Sequence, residues 1–205
     1  MLSVKGIYTK GHVELLDHIP ELENANVIIT FLDETLDYKL TDNMNEFKFW
    51  ELINLINWEA SNEDDVVLPI IQKLSEMSIQ NIYVFEEILS EKLYRLDGKK
   101  YAENIGDDSY TEGGEYFSSD VFLYIRCYVV ACGKEYYNIV LNDPTQMPKD
   151  RDFESLLYIS KRAYQMKTGK NDFCILTQYS YETFSNKENW NSKISFMEKV
   201  KGIQK

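Results

Sequence analysis

The chain has 205 residues, with 34 acidic against 22 basic side chains and a formal net charge of -12. That balance excludes the broad basic face needed to bind nucleic acid or anionic lipid. Its 44% hydrophobic content, with 15 Tyr and 10 Phe, excludes disorder and suffices for a real core. Three cysteines make no disulfide framework, and Met1 to Lys10 lack the apolar run of a secretory signal. The apolar run Val121–Cys132 is too short to span a bilayer and contains Arg126. A cytoplasmic, soluble protein with no membrane contact is expected.

The first segment reads as a small β unit. Val4 to Tyr8 and His12 to Leu16 flank the turn signal Lys10-Gly11, and Val27 to Leu32 is a continuous β-branched and aromatic run expected as a third strand. Residues 33–43 are polar and acidic and read as a linker. A helix is predicted to start at Asn43, which with Glu46 has capping-box spacing, and to run past Phe49, Trp50, Leu52, Ile53 and Ile56 toward Trp58. Ser61 to Asp65 starts a second helix that carries Pro69 in its first turn or at a kink. Ser78 is the predicted N-cap of a long helix over Ile79–Leu96, whose apolar residues recur every three or four positions. A short helix follows over Lys99–Ile105, then the acidic, Gly-containing loop from Gly106 to Phe117.

The next helix, opened by Ser118 or Ser119 and stopped by Gly133, is apolar nearly all round, which predicts a buried central element. Further helices are expected over Lys134–Leu141 and Asp152–Lys167, and a strand over Phe173–Leu176. Beyond Tyr179 the pattern assigns no structure, with Trp190 as the expected anchor of the tail.

Arg126 is the most informative residue. A guanidinium in the middle of an apolar helix needs a partner, or its desolvation would cost several kcal/mol. The expected acids are Glu51 on the first helix or Glu86 and Glu87 on the long one. The alternative is that Arg126 lines a pocket and binds an anion or carboxylate, with Trp50, Tyr94, Tyr101 and Tyr124 around it. Both histidines, His12 and His18, lie in the N-terminal unit, so the helical part has no Ser/His or Cys/His nucleophile pair and no His-based zinc site. Cys127, Cys132 and Cys174 read as buried small hydrophobes. Asp107, Asp108, Glu112 and Glu115 lack calcium-loop spacing. No cofactor, metal or catalytic residue is expected.

Two resemblances accompany these readings. From Phe49 to about Gly169 the chain resembles a bacterial family, domain of unknown function 4240. The match is carried by Phe49-Trp50-Glu51-Leu52-Ile53, by the block SSDVFLYIRCYVVACG and by FESLLYISKRAYQMKTG. Where members often have Trp-Asp-Leu-Trp, this chain has Leu96-Asp97-Gly98-Lys99-Lys100. The resemblance implies a compact helical domain and brings no activity or ligand. The segment SVKGIYTKGHVELLDHIPELENANVIITFLD resembles the N-terminal halves of small bacterial antitoxin-like proteins, in which such a hairpin pairs two chains into a DNA-reading dimer. Here Glu14, Asp17, Glu21, Glu23 and Asp33 outnumber Lys5 and Lys10, which favours self-association or docking on a protein over phosphate contact.

The expected organisation is a β unit over 1–40, a helical domain over 41–175 and an irregular tail over 176–205 packing on it. The expected fold class is mainly α, a compact multi-helix domain with a small N-terminal hairpin or three-strand unit, α+β overall. The expected function is a non-enzymatic binding or regulatory protein, antitoxin- or immunity-like, acting through protein contacts. The alternatives are an anionic-ligand-binding or enzymatic domain centred on Arg126, and a structural oligomerisation module.

Overall fold

The computed structural model describes residues 6–9, 12–15, 44–113 and 117–191. The chain divides into two compact units, Met1–Leu40 and Thr41–Lys205. In the first unit, β1 (Gly6–Thr9) and β2 (His12–Leu15) pair antiparallel, Gly6 opposite Leu15 and Thr9 opposite His12. The third strand expected over 27–32 lies outside the described residues, as does Asn43.

The second unit corrects the fold class. From Met44 to Asn191 the described chain is helical and contains no strand or sheet, so an α+β label does not hold. The strand expected over Phe173–Leu176 is irregular chain instead, with Leu176 97% exposed. A short apolar run passes for a strand by pattern, but a strand needs a neighbour for its N–H and C=O groups, and among the described residues of this unit there is no sheet edge to supply one.

Helix α1 (Glu46–Ile53) is capped by Asn45, whose side chain accepts from the Lys48 N–H, rather than by Asn43. It stops well short of Trp58. Helix α2 (Glu63–Glu76) is capped by Asn62 and runs through Pro69, and α3 (Ile79–Arg95) is capped by Ser78. The Ser and Asn caps each satisfy one of the N–H groups that a helix start leaves unpaired. After the single turn α4 (Lys99–Ala102) comes α5 (Ser119–Ala131), capped by Ser118, then α6 (Lys134–Asn142). Gly133 joins α5 to α6 at φ +93°, a conformation that L side chains rarely adopt. The helix expected over Asp152–Lys167 is a tighter 3-10 turn at Glu154–Tyr158 leading into α7 (Ile159–Thr168), which Gly169 ends in the left-handed conformation. A four-residue turn, α8 (Lys187–Trp190), closes the described chain.

Packing follows the apolar stripes. The broadest contact is α2 against α7; α5 packs against α3, α6 and the Glu154–Tyr158 turn. Phe122, Leu123, Ile125, Cys127, Val129, Val130 and Ala131 of α5 are all buried, and Phe49 and Phe85 meet with ring centroids 4.9 Å apart. Burying a residue such as Phe122 fully is worth about 2–3 kcal/mol.

Candidate functional site

The carboxyl end of α3 is where the buried polar groups gather. A helix leaves its last four carbonyls without intrahelical donors, and its dipole places partial negative charge there. Each of the four at the end of α3 receives a side-chain donor from a distant part of the chain. The Tyr137 hydroxyl donates to the Lys92 carbonyl at 3.2 Å, and Arg126 Nη1 donates to Leu93 at 2.9 Å. Asn186 Nδ2 donates to Tyr94 at 3.0 Å and Asn189 Nδ2 to Arg95 at 3.2 Å.

Arg126 is 0% exposed. Its Nη2 donates to Thr183 Oγ1 at 2.9 Å, and that hydroxyl donates to the Ser119 carbonyl at 2.7 Å. The guanidinium carbon sits 4.8 Å from the centre of the Phe122 ring, an arrangement that favours a cation. Nε has no partner. Burial pushes the guanidinium down to about 10, opposed chiefly by the charge of Asp97.

Asp97, also 0% exposed, lies just past the end of α3. It forms no ion pair within 4.0 Å among the described residues; instead its carboxylate accepts from three N–H groups of the tail. The Phe184 backbone donates to Oδ1 at 3.1 Å, the Asn186 backbone to Oδ2 at 2.9 Å, and Trp190 Nε1 to Oδ1 at 2.7 Å. Charge-assisted bonds of this kind are roughly twice as strong as neutral ones. The cation and the anion therefore work in parallel, each fastening the same segment, Thr183 to Trp190, to the helical body.

The acids expected beside Arg126 are elsewhere. Glu51 is exposed and pairs with Lys48 at 3.2 Å. Glu87 accepts from the Gln178 backbone at 2.7 Å. Glu86 is buried, 6% exposed, and its Oε2 has no partner; neither have Ser90 Oγ and Ser160 Oγ nearby on α3 and α7. Nor do the expected aromatics form one cluster around Arg126. Trp50 packs on Phe49 and Tyr137, its Nε1 donating to Glu46. Tyr101 is buried and its hydroxyl donates to the Leu141 carbonyl. Tyr94 rests on Tyr179 with centroids 5.0 Å apart, and Tyr124 lends its carbonyl to the Phe153 N–H. Of the cysteines, Cys127 is buried and its thiol is pushed far up by that burial, but Cys174 is exposed, against expectation.

Glu86 carries a prediction. Burial raises its carboxyl above the ordinary value of 4.5, Glu87 adds to the rise, and Ser160 opposes it. The folded chain thus holds the proton better than the unfolded one. The stabilisation from that proton is complete below pH 4.5 and is lost as pH climbs through the raised value. Glu86→Gln is expected to stabilise the protein by about 1 kcal/mol at pH 7 and by little or nothing at pH 4, read from urea melts at both. Equal effects at the two pH values would refute the account.

Among the described residues, neither of two surface grooves is lined by Arg126. One open groove of about 460 Å³ is lined by Asn62, Asp64, Ser155, Tyr158, Lys161 and Arg162, among others, with Arg162 held by Asp64 at 2.8 Å. A second, of about 300 Å³, is lined by Ile175, Leu176, Thr177, Ser180, Tyr181 and Glu182. Among the described residues, no group of three or more His, Cys, Asp and Glu is placed to hold a metal ion, and no helix is long and apolar enough to cross a membrane.

The sequence reading missed Asp97, Thr183, Asn186 and Asn189. One signal was available. An acid directly after a helix C-terminus opposes the dipole and calls for donors from elsewhere.

No curated protein and no solved structure matches the chain. The model of one family, described as protein of unknown function (DUF4240), matches residues 44–166, well over half of the chain. The family region so defined takes in α1 through most of α7, with Asp97 and Arg126, but stops before the segment those two residues hold. On that match the chain belongs to the family described as protein of unknown function (DUF4240).

Proposed function

We propose that this is a non-enzymatic binding protein of antitoxin or immunity type, acting on a basic protein partner through its surface. One observation carries the reading. Arg126 and Asp97 are sealed from solvent and occupied by internal bonds, so they serve the fold rather than a substrate. What faces outward is an acidic chain with a net charge of -12 and large apolar side chains such as Phe47, 70% exposed, and Ile139, 52% exposed. Acidic rims steer basic partners, and apolar anchors hold them once docked. The hairpin unit adds an edge for self-association.

The test is affinity capture with the full chain at low salt. A basic protein retained in a fixed ratio to the bait is expected. It should be released as salt approaches about 1 M, where screening shortens to roughly 3 Å. If no protein is retained, while some small anion raises the Tm of the wild type and not of Arg126→Met, the reading fails and the ligand-binding alternative replaces it.

A further inference from the structure

The tail from Thr183 to Trp190 sits on the helical body as a bound peptide would. It has almost no regular structure of its own, only the single turn α8. Its main chain is read by one buried carboxylate, which takes the N–H groups of Phe184 and Asn186, and its side chains are read by the helix-end carbonyls of Tyr94 and Arg95. Two aromatic anchors complete the contact. Phe184 and Trp190 lie against each other at 4.4 Å, and Trp190 meets Tyr110, Phe117 and Phe122 edge-on. Main-chain capture combined with spaced anchors is how domains recognise peptides.

Two further observations bear on how tightly it is held. Phe184 adopts φ 72°, a conformation strained for a bulky L residue, and stays 40% exposed. Strain of this kind is relieved when the segment leaves. Gly98 floors the site: a Cβ built on it would stand 2.5 Å from Asn189 Cβ, so the bare backbone there is what lets the segment approach.

We propose that the hollow formed by the end of α3, α4 and the start of α5 is a peptide-recognition groove. Its ligand is the segment Thr-Phe-Ser-Asn-Lys-Glu-Asn-Trp, supplied in this structure by the chain itself and exchangeable for the same segment of a second copy. The 14 residues from Gly169 to Glu182 link α7 to the segment. Fully extended, a linker of that length covers at most about 48 Å. This inference does not depend on the basic partner proposed above, because the groove and its ligand both belong to this chain.

The experiment uses the full-length chain and a fluorescein-labelled peptide of residues 181–191, followed by anisotropy. Wild type should bind the peptide weakly, because its own segment competes. Phe184→Ala/Trp190→Ala, which weakens the resident segment, should bind it about tenfold tighter or more, since apparent affinity scales with the fraction of open groove. Adding Gly98→Val to that variant should abolish binding. Peptide that binds neither chain, or that binds the Gly98→Val variant equally well, overturns the proposal. Hydrogen exchange on the wild type tests it without mutation. The Phe184 and Asn186 amides are expected to exchange well before the α5 amides; exchange of both sets together, through global unfolding, would also overturn it.

Discussion

Asp97→Ala is expected to destabilise the protein by about 3–5 kcal/mol, the largest effect of any single polar substitution. The deletion leaves three N–H donors, from Phe184, Asn186 and Trp190, without their acceptor at a site that is 0% exposed. It also removes the charge that offsets burial of Arg126. For a chain of this size the Tm should fall by roughly 10 °C or more. Asp97→Asn is the informative control. One oxygen remains to accept, but the new amide N–H group faces a donor, so about half of the loss should persist. A melt of Asp97→Ala within about 1 kcal/mol of wild type would mean that the tail contributes little to the fold.

Much of this fold is legible in the sequence alone, but the role of Asp97 is not. The long helix and the apolar central helix were legible because each writes its burial as a pattern: Ile82, Phe85, Leu89 and Leu93 recur at helical spacing, and α5 is apolar around most of its circumference. Ser78 and Ser118 mark their starts because a hydroxyl before an apolar run has one common use. The burial of Arg126 followed from its neighbours in sequence. Its partners did not, because they are a carbonyl 33 residues away and a hydroxyl 57 residues away. Glu51 was a reasonable candidate by charge, yet it sits on the outward side of α1 with Lys48. The expectation of a nearby acid assumed that a buried cation must be neutralised by contact. Here the charge of Asp97, which makes no direct ion pair with Arg126, is the chief offset, and the negative end of α3 and the Phe122 ring face add to it. The tail was opaque for a related reason: its order comes from Asp97 and the aromatic floor, not from its own periodicity. Phe173 to Leu176 misled because a short apolar run looks alike in a strand, a buried turn or an exposed loop. The hairpin unit left the fold class too generously named, since one pair of four-residue strands does not make the helical body an α+β fold.

Arg126→Met follows from the same geometry, and its expected cost is smaller, about 2–3 kcal/mol. Methionine fills most of the volume and spares the protein the desolvation of a cation. What is lost is the donor to the Leu93 carbonyl, the donor to Thr183 and the charge facing Asp97, while Asp97 keeps all three of its N–H donors. Arg126→Lys should not rescue it fully, because a single ammonium cannot match a planar fork aimed at two acceptors. Thr183→Val should reproduce about 1 kcal/mol of the loss, the share of one hydrogen bond. The double variant Asp97→Ala/Arg126→Met separates the electrostatic part from the rest. If the two charges support each other across the tail, the combined loss falls short of the sum by about 1–3 kcal/mol; strict additivity would show that each holds Thr183 to Trp190 on its own. An Arg126→Met chain as stable as wild type would leave the guanidinium without a structural reason to be buried, and would return it to consideration as a ligand group.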